Sequence, residues 1–266
     1  YLVSAGAFET HDHDYLFKLA PIDGSVNIQR VTTQTGVLVV AGPKSRDVLQ
    51  KLTDTDLSNE SFKWLTGKKI NVGYAMAEAL RVNFVGELGW ELHHPIEMQN
   101  YIFDKVMEAG AEFDIKPFGI RAMDSMRLEK SYRLIPREMS IEYSAFESGL
   151  DRFVRLDKEE DFIGKTALSQ WQDTGPTNGF VTMEVLGIVD ADARGSEAIY
   201  KDGEVVGRAT SGGYGWRCGK SLALGLVRLE LAAIGTELEI EILGEKYKAI
   251  VIEESPFDPN NECLRS

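Results

Sequence analysis

Residues 119–161 read GIRAMDSMRLEKSYRLIPREMSIEYSAFESGLDRFVRLDKEED. Ile120, Met123 and Arg127 recur at helical spacing, which predicts a helix over 119–131 with one core-facing stripe. A stripe that carries methionine ordinarily packs into a core. Glu129 falls where a buried residue is expected, so it and Arg127 read as members of structural ion pairs or caps. The closing GLDRFVRLDK run also departs from plain apolar periodicity.

Working outward, residues 37–42 form a short apolar strand, and Pro43 opens KSRDVLQKL, where Val48, Leu49 and Leu52 share a helical face. Residues 79–85 and 90–94 read as strands of a β-hairpin around Gly86-Glu87-Leu88-Gly89, whose glycines permit a tight reversal. Residues 97–109 carry Tyr101, Ile102, Val106 and Met107 at helical spacing. The turn formers QDTGPTNG at 172–179 mark a boundary. Beyond it lie the β-rich runs 180–186, 204–210, 222–231, 237–243 and 246–253, the pattern of an antiparallel barrel or sandwich. The fold class is α+β, with domains at 1–172 and 179–266.

Composition restricts the function. With 42 acidic against 29 basic residues the formal net charge is -13. Its field repels nucleic acid and anionic membranes, so neither is an expected partner. Cys218 and Cys263 are too few for a disulfide framework and lack zinc-ligand spacing, which suits free thiols in a reducing compartment. No apolar run approaches the ~18 residues of a membrane span. The chain opens at Tyr1 without a signal-peptide pattern and its first methionine is Met76, so a further upstream segment is expected.

Several motifs mislead. GGYGWRCGKS at 212–221 looks like a phosphate loop, but Tyr214 occupies the position of its first glycine and a strand-like LALGLV follows where a helix is required. His11-Asp12-His13-Asp14 offers half a metal site if extended, but reads first as a solvated loop, and no metal is assigned. No GxSxG elbow is present, and no nucleophilic triad is proposed. In RVNFVGELGWELHHP, Glu87 lies in the turn and Glu91 in the second strand, near Phe84 and Trp90. A carboxylate beside aromatic rings can accept paired N–H donors from a flat heterocycle. The residues alone read first as an exposed strand glutamate beside a packed tryptophan.

An ordered set of motifs carries a family resemblance: YLVSAGAFETHDHDYL, ALRVNFVGELGWELHHP, GIRAMDSMRLEKSYR, ESGLDRFVRLDK with FIGKTAL, TSGGYG, SLALGLV and ESPFDP. Together they resemble the aminomethyltransferase family typified by the glycine cleavage T-protein, and within it the branch fused to dimethylglycine and sarcosine dehydrogenases. The resemblance implies a partial three-lobed folate-binding fold ending in a β-rich barrel. It implies that Glu91 grips the pterin of tetrahydrofolate, that Phe84 stands for the family's tyrosine wall, and that Tyr132 lines the pocket. Met123 stands where the T-protein has arginine, so Arg121 either contacts folate or packs structurally; Ala5, replacing an asparagine, points to the same branch. The catalytic acid is expected upstream of Tyr1, as is a separate FAD domain.

The activity implied by the resemblance is capture of a one-carbon unit, from an N-methyl amine oxidised to an iminium, as 5,10-methylenetetrahydrofolate. The location implied is the cytoplasm, or the mitochondrial matrix in a eukaryote. A freestanding folate-dependent aminomethyltransferase or demethylase, and a noncatalytic folate-binding module, are the alternatives.

Overall fold

The computed structural model describes residues 1–266, which divide into two units. The first comprises Tyr1–Asn83, Glu87–Lys116 and Leu264–Ser266. It contains α1 (Glu9–Leu19), β1 (Thr35–Ala41), α2 (Ser45–Gln50), β2 (Gly67–Val72), β3 (Ala75–Leu80), β4 (Gly89–Pro95) and α3 (Gln99–Gly110). The strands form an antiparallel sheet in the order β1-β4-β3-β2. Alternation in GWELHHP sets the faces of β4. Trp90 and Leu92 enter a core shared with Phe62, Ile70 and, from the helices, Val48, Leu49, Ile102 and Val106. Glu91 and His93 therefore point to the opposite face.

Two expectations are corrected in this unit. The strand expected over 79–85 ends at Leu80, so Phe84 is not a strand residue and no tight hairpin turn forms. Arg81, which follows, still exchanges backbone hydrogen bonds with Thr66 and Leu65, and its buried guanidinium donates to Phe62 O at 2.6 Å and to Ser266 O at 3.1 Å. In the irregular connection over 81–88, Asn83 donates to Glu87 O at 2.6 Å. The second correction concerns His11-Asp12-His13-Asp14, which lies in α1 rather than in a loop. Residues two apart on a helix diverge by about 200°, so His11 and His13 do not share a face.

The second unit comprises Phe84–Gly86 and Pro117–Cys263. It begins with α4 (Ile120–Leu128) and α5 (Lys165–Thr174). Six antiparallel strands then close a barrel in the order β10-β5-β8-β7-β6-β9: β5 (Asn178–Val185), β6 (Ala198–Lys201), β7 (Glu204–Gly215), β8 (Lys220–Arg228), β9 (Glu237–Ile242) and β10 (Glu245–Ile252). Its interior is filled by Val181, Met183, Ile199, Leu238, Ile240 and Val251, among others. In β9 the sequence ELEIEI alternates with period two, and its three aliphatic residues are buried. The deceptive GGYGWRCGKS segment is the β7–β8 hairpin, with strand on both sides.

Between α4 and α5 the chain is mostly irregular, yet four of its charged residues are buried. Glu129, Lys130, Arg133 and Glu138 are all shielded from solvent. Lys130 Nζ donates to Phe257 O, Asp258 O and Asn261 Oδ1 at 3.1, 2.6 and 3.0 Å. Arg133 donates to Ser148 O and Ser131 O, each at 3.0 Å, and pairs with Glu254. These groups satisfy backbone carbonyls that no helix or sheet ladder reaches.

Candidate functional site

In the first unit, the outward face of β4 presents Glu91, partly exposed, beside the buried His93. Their i, i+2 spacing on a strand places both on one face. His93 Nε2 lies 3.2 Å from Glu91 Oε2, and Tyr1 Oη lies 2.9 Å from His93 Nδ1. Val39 stands opposite Glu91 in β1, and Leu80 opposite it in β3, so apolar groups flank the carboxylate. Burial raises the pKa of the Tyr1 hydroxyl, and Glu91 and Glu78 raise it further. A cavity of about 670 Å³ adjoins His93 and is also lined by Tyr1, Lys69 and Glu78. Glu91 is not in its wall.

In the second unit, Phe84 and Tyr132 stack with ring centroids 5.5 Å apart and an interplanar angle of 26°. Both rings are partly exposed. That separation is too small to admit a third ring, so a flat ligand would meet an outer face of the pair. Burial raises the pKa of the Tyr132 hydroxyl; Arg152 and Arg217 oppose this and Asp258 adds to it. Gly86, at φ +76°, permits the chain to pass over the Lys130 stem, which a Cβ there would approach to 2.5 Å. Arg121, near the start of α4, is exposed and makes no hydrogen bond or ion pair.

The structure therefore brings Phe84 and Tyr132 together, leaves Arg121 without a polar partner, and gives Glu91 a histidine neighbour. His93 was not singled out from the sequence, although its two-residue spacing from Glu91 within a strand carries the signal for the contact.

Comparison with known proteins fixes the lineage. The model described as the GCVT N-terminal domain matches residues 1–158, and that of the glycine cleavage T-protein C-terminal barrel domain matches 179–258. This chain belongs to the glycine cleavage T-protein family. An aminomethyltransferase of Geobacillus thermodenitrificans is 34% identical over 260 residues, covering 97% of this chain and 69% of that protein. The human mitochondrial dimethylglycine dehydrogenase is 41% identical over 254 residues, covering 95% of this chain. The chain spans 29% of the length of that dehydrogenase. The crystal structure of the glycine cleavage system aminomethyltransferase T from Bartonella henselae matches with a TM-score of 0.79 at 21% identity, over 95% of this chain and 67% of that one. The likeness to that structure shows a shared fold.

In this glycine cleavage T-protein family member, the buried clusters around Arg127 and Glu129 are internally paired. Arg127 pairs with Asp124 at 2.7 Å and with Glu138 at 3.6 Å, and donates to Ser211 Oγ at 2.9 Å. Glu129 pairs with Arg217 and accepts from Arg217 N at 2.5 Å. Burial and then Glu129 raise the pKa of the neighbouring Cys218 thiol, the opposite of an activated nucleophile.

Proposed function

We propose that this chain is the tetrahydrofolate-binding, one-carbon transfer region of a flavin-linked N-demethylating dehydrogenase of the dimethylglycine or sarcosine type. The observation that carries the reading is that the same residues match both a dimethylglycine dehydrogenase and an aminomethyltransferase. An upstream flavin domain oxidises the N-methyl amine in this reading, and residues 1–172 and 179–266 are the two functional parts of the folate region. The location is the mitochondrial matrix in a eukaryote and the cytoplasm otherwise.

The chemistry of the side chains supports tetrahydrofolate. Its pterin edge offers N–H donors, and Glu91 is an acceptor-only carboxylate whose Oε1 takes no hydrogen bond from the protein. Phe84 and Tyr132 offer a flat apolar face of the kind on which a heterocycle stacks. Arg121 is available to a ligand carboxylate, since no protein group holds it. When bound, tetrahydrofolate supplies the nucleophilic nitrogens that accept a one-carbon unit as 5,10-methylenetetrahydrofolate.

Glu91 then fixes the register of the pterin, and orientation contributes most of what this region adds to the rate. Calorimetric titration of tetrahydrofolate into the wild type and Glu91→Ala tests this. A charge-assisted hydrogen bond is worth about 1.5–3 kcal/mol, so the variant should bind roughly 10- to 100-fold more weakly. Unchanged affinity would remove Glu91 from the binding site.

A further inference from the structure

We infer that His93 is a positioning residue for Glu91: its imidazole holds the carboxylate in one rotamer and in one hydrogen-bonding state. The inference rests on the proposed role of Glu91 in folate binding and adds a residue to it. His93 is 5% exposed, so its ring nitrogens must find partners within the protein. Nε2 faces Glu91 Oε2 at 3.2 Å and Nδ1 faces Tyr1 Oη at 2.9 Å. The Tyr1 and His93 rings also meet edge to face, 5.5 Å between centroids at 85°, which fixes the imidazole plane.

The polarity of this chain of hydrogen bonds is set by the carboxylate. An ionised carboxylate only accepts, so Nε2 must carry the proton and donate to Glu91. In the neutral ring Nδ1 is then an acceptor, and the Tyr1 hydroxyl donates to it. Tyr1 remains protonated in this role, because its surroundings raise its pKa. The other charged groups near the ring are accounted for. Glu78, opposite His93 in register, is engaged by Lys69 at 3.4 Å. Glu91 Oε2 retains accepting capacity beside the His93 contact, and Oε1 is uncommitted, so paired donors of a ligand edge still have acceptors.

A carboxylate on an exposed strand face otherwise samples several rotamers, and fixing it before binding removes that entropic penalty. His93→Phe keeps a ring of similar shape and deletes both nitrogens; His93→Gln keeps an N–H near the Nε2 position. Tetrahydrofolate affinity should fall about tenfold in His93→Phe, the size of one net hydrogen bond, and recover most of the loss in His93→Gln. In a Glu91→Ala background, His93→Phe should add no further loss, because the two act through one contact.

Nitrogen-15 spectra of histidine-labelled full chain should show His93 as the Nε2-protonated tautomer without ligand, a readout independent of binding and of variant stability. Wild-type affinity in His93→Phe, additive losses in the double variant, or an Nδ1-protonated ring would each overturn the inference. A Glu91→Ala variant that binds as the wild type does would instead overturn the assignment of Glu91 itself.

Discussion

Glu147 accepts five hydrogen bonds: Ser144 N and Oγ on Oε2, and Thr177 Oγ1, Asn178 N and Asn178 Nδ2 on Oε1. It thereby ties the irregular segment before α5 to the first barrel strand. Burial pushes its pKa up, but the bonds from Ser144, Asn178 and Thr177 outweigh burial and the net shift is downward. Its folded-state pKa lies below that of the unfolded chain, near 4.3, so its contribution is complete above that pH and is lost as pH falls through the lower folded value. Glu147→Gln should lower Tm at neutral pH and flatten the drop in Tm below about pH 4.3. Thermal melts across that range check this, and an acid limb as steep as the wild type's would refute it. The residues of the candidate site were unequally legible at this scale. Glu91 and its outward direction follow from alternation in GWELHHP, whereas the Phe84–Tyr132 stack joins two irregular segments far apart in sequence, for which no local period exists.

Among the elements, α4 is anchored by a buried charge. Arg127, fully buried in its last turn, bridges Asp124, Glu138, Ser211 and the Tyr132 carbonyl. Arg127→Met leaves Glu138 buried without its cation and should cost about 3–5 kcal/mol in urea denaturation. Replacing Glu138 by Leu as well should recover only part of that, because Glu138 also accepts from Leu134 N at 2.8 Å and Thr210 Oγ1 at 2.6 Å. A loss under about 1 kcal/mol in Arg127→Met would mean that water reaches the site. The helical stripe was visible in GIRAMDSMRLEK, as was Asp124 at i, i+3 spacing from Arg127, but the other partners of Arg127 were not, since Tyr132 and Glu138 lie in a loop and Ser211 in β7. Strands with clear alternation, such as ELEIEI, were equally visible. β6 was missed because AIYK is too short for a period to emerge, although Asp202-Gly203 after it, with φ of 52° and 84°, carries the dipeptide of a two-residue hairpin. β3 ends before VNFV despite the strand propensity of that run, a tertiary override that the local sequence does not carry.

At the scale of the whole molecule, two separate hydrophobic cores support the sheet and the barrel, so substitutions on the outward face of β4 leave both cores intact. In the proposed function, Glu91 is therefore a residue whose substitution alters ligand capture with little change in folding. In the proposed function, a one-carbon unit released by oxidation has two fates: transfer to tetrahydrofolate, or escape as formaldehyde. The partition between them reports on this region, because positioning accelerates transfer and not hydration. Using the complete protein with an N-methylglycine substrate, formaldehyde and methylenetetrahydrofolate should be quantified at equal extents of substrate consumption. Saturating tetrahydrofolate should shift the wild-type product from formaldehyde towards methylenetetrahydrofolate. Glu91→Ala should move it back at the same folate concentration, with the shift reduced roughly in step with the 10- to 100-fold loss of affinity. A formaldehyde yield indifferent to tetrahydrofolate would sink the capture role. Methylenetetrahydrofolate formed with no oxidation step from an aminomethyl donor, whose carbon is already at the oxidation level of formaldehyde, would favour a freestanding transferase, because the one-carbon unit would then reach the folate without a flavin partner.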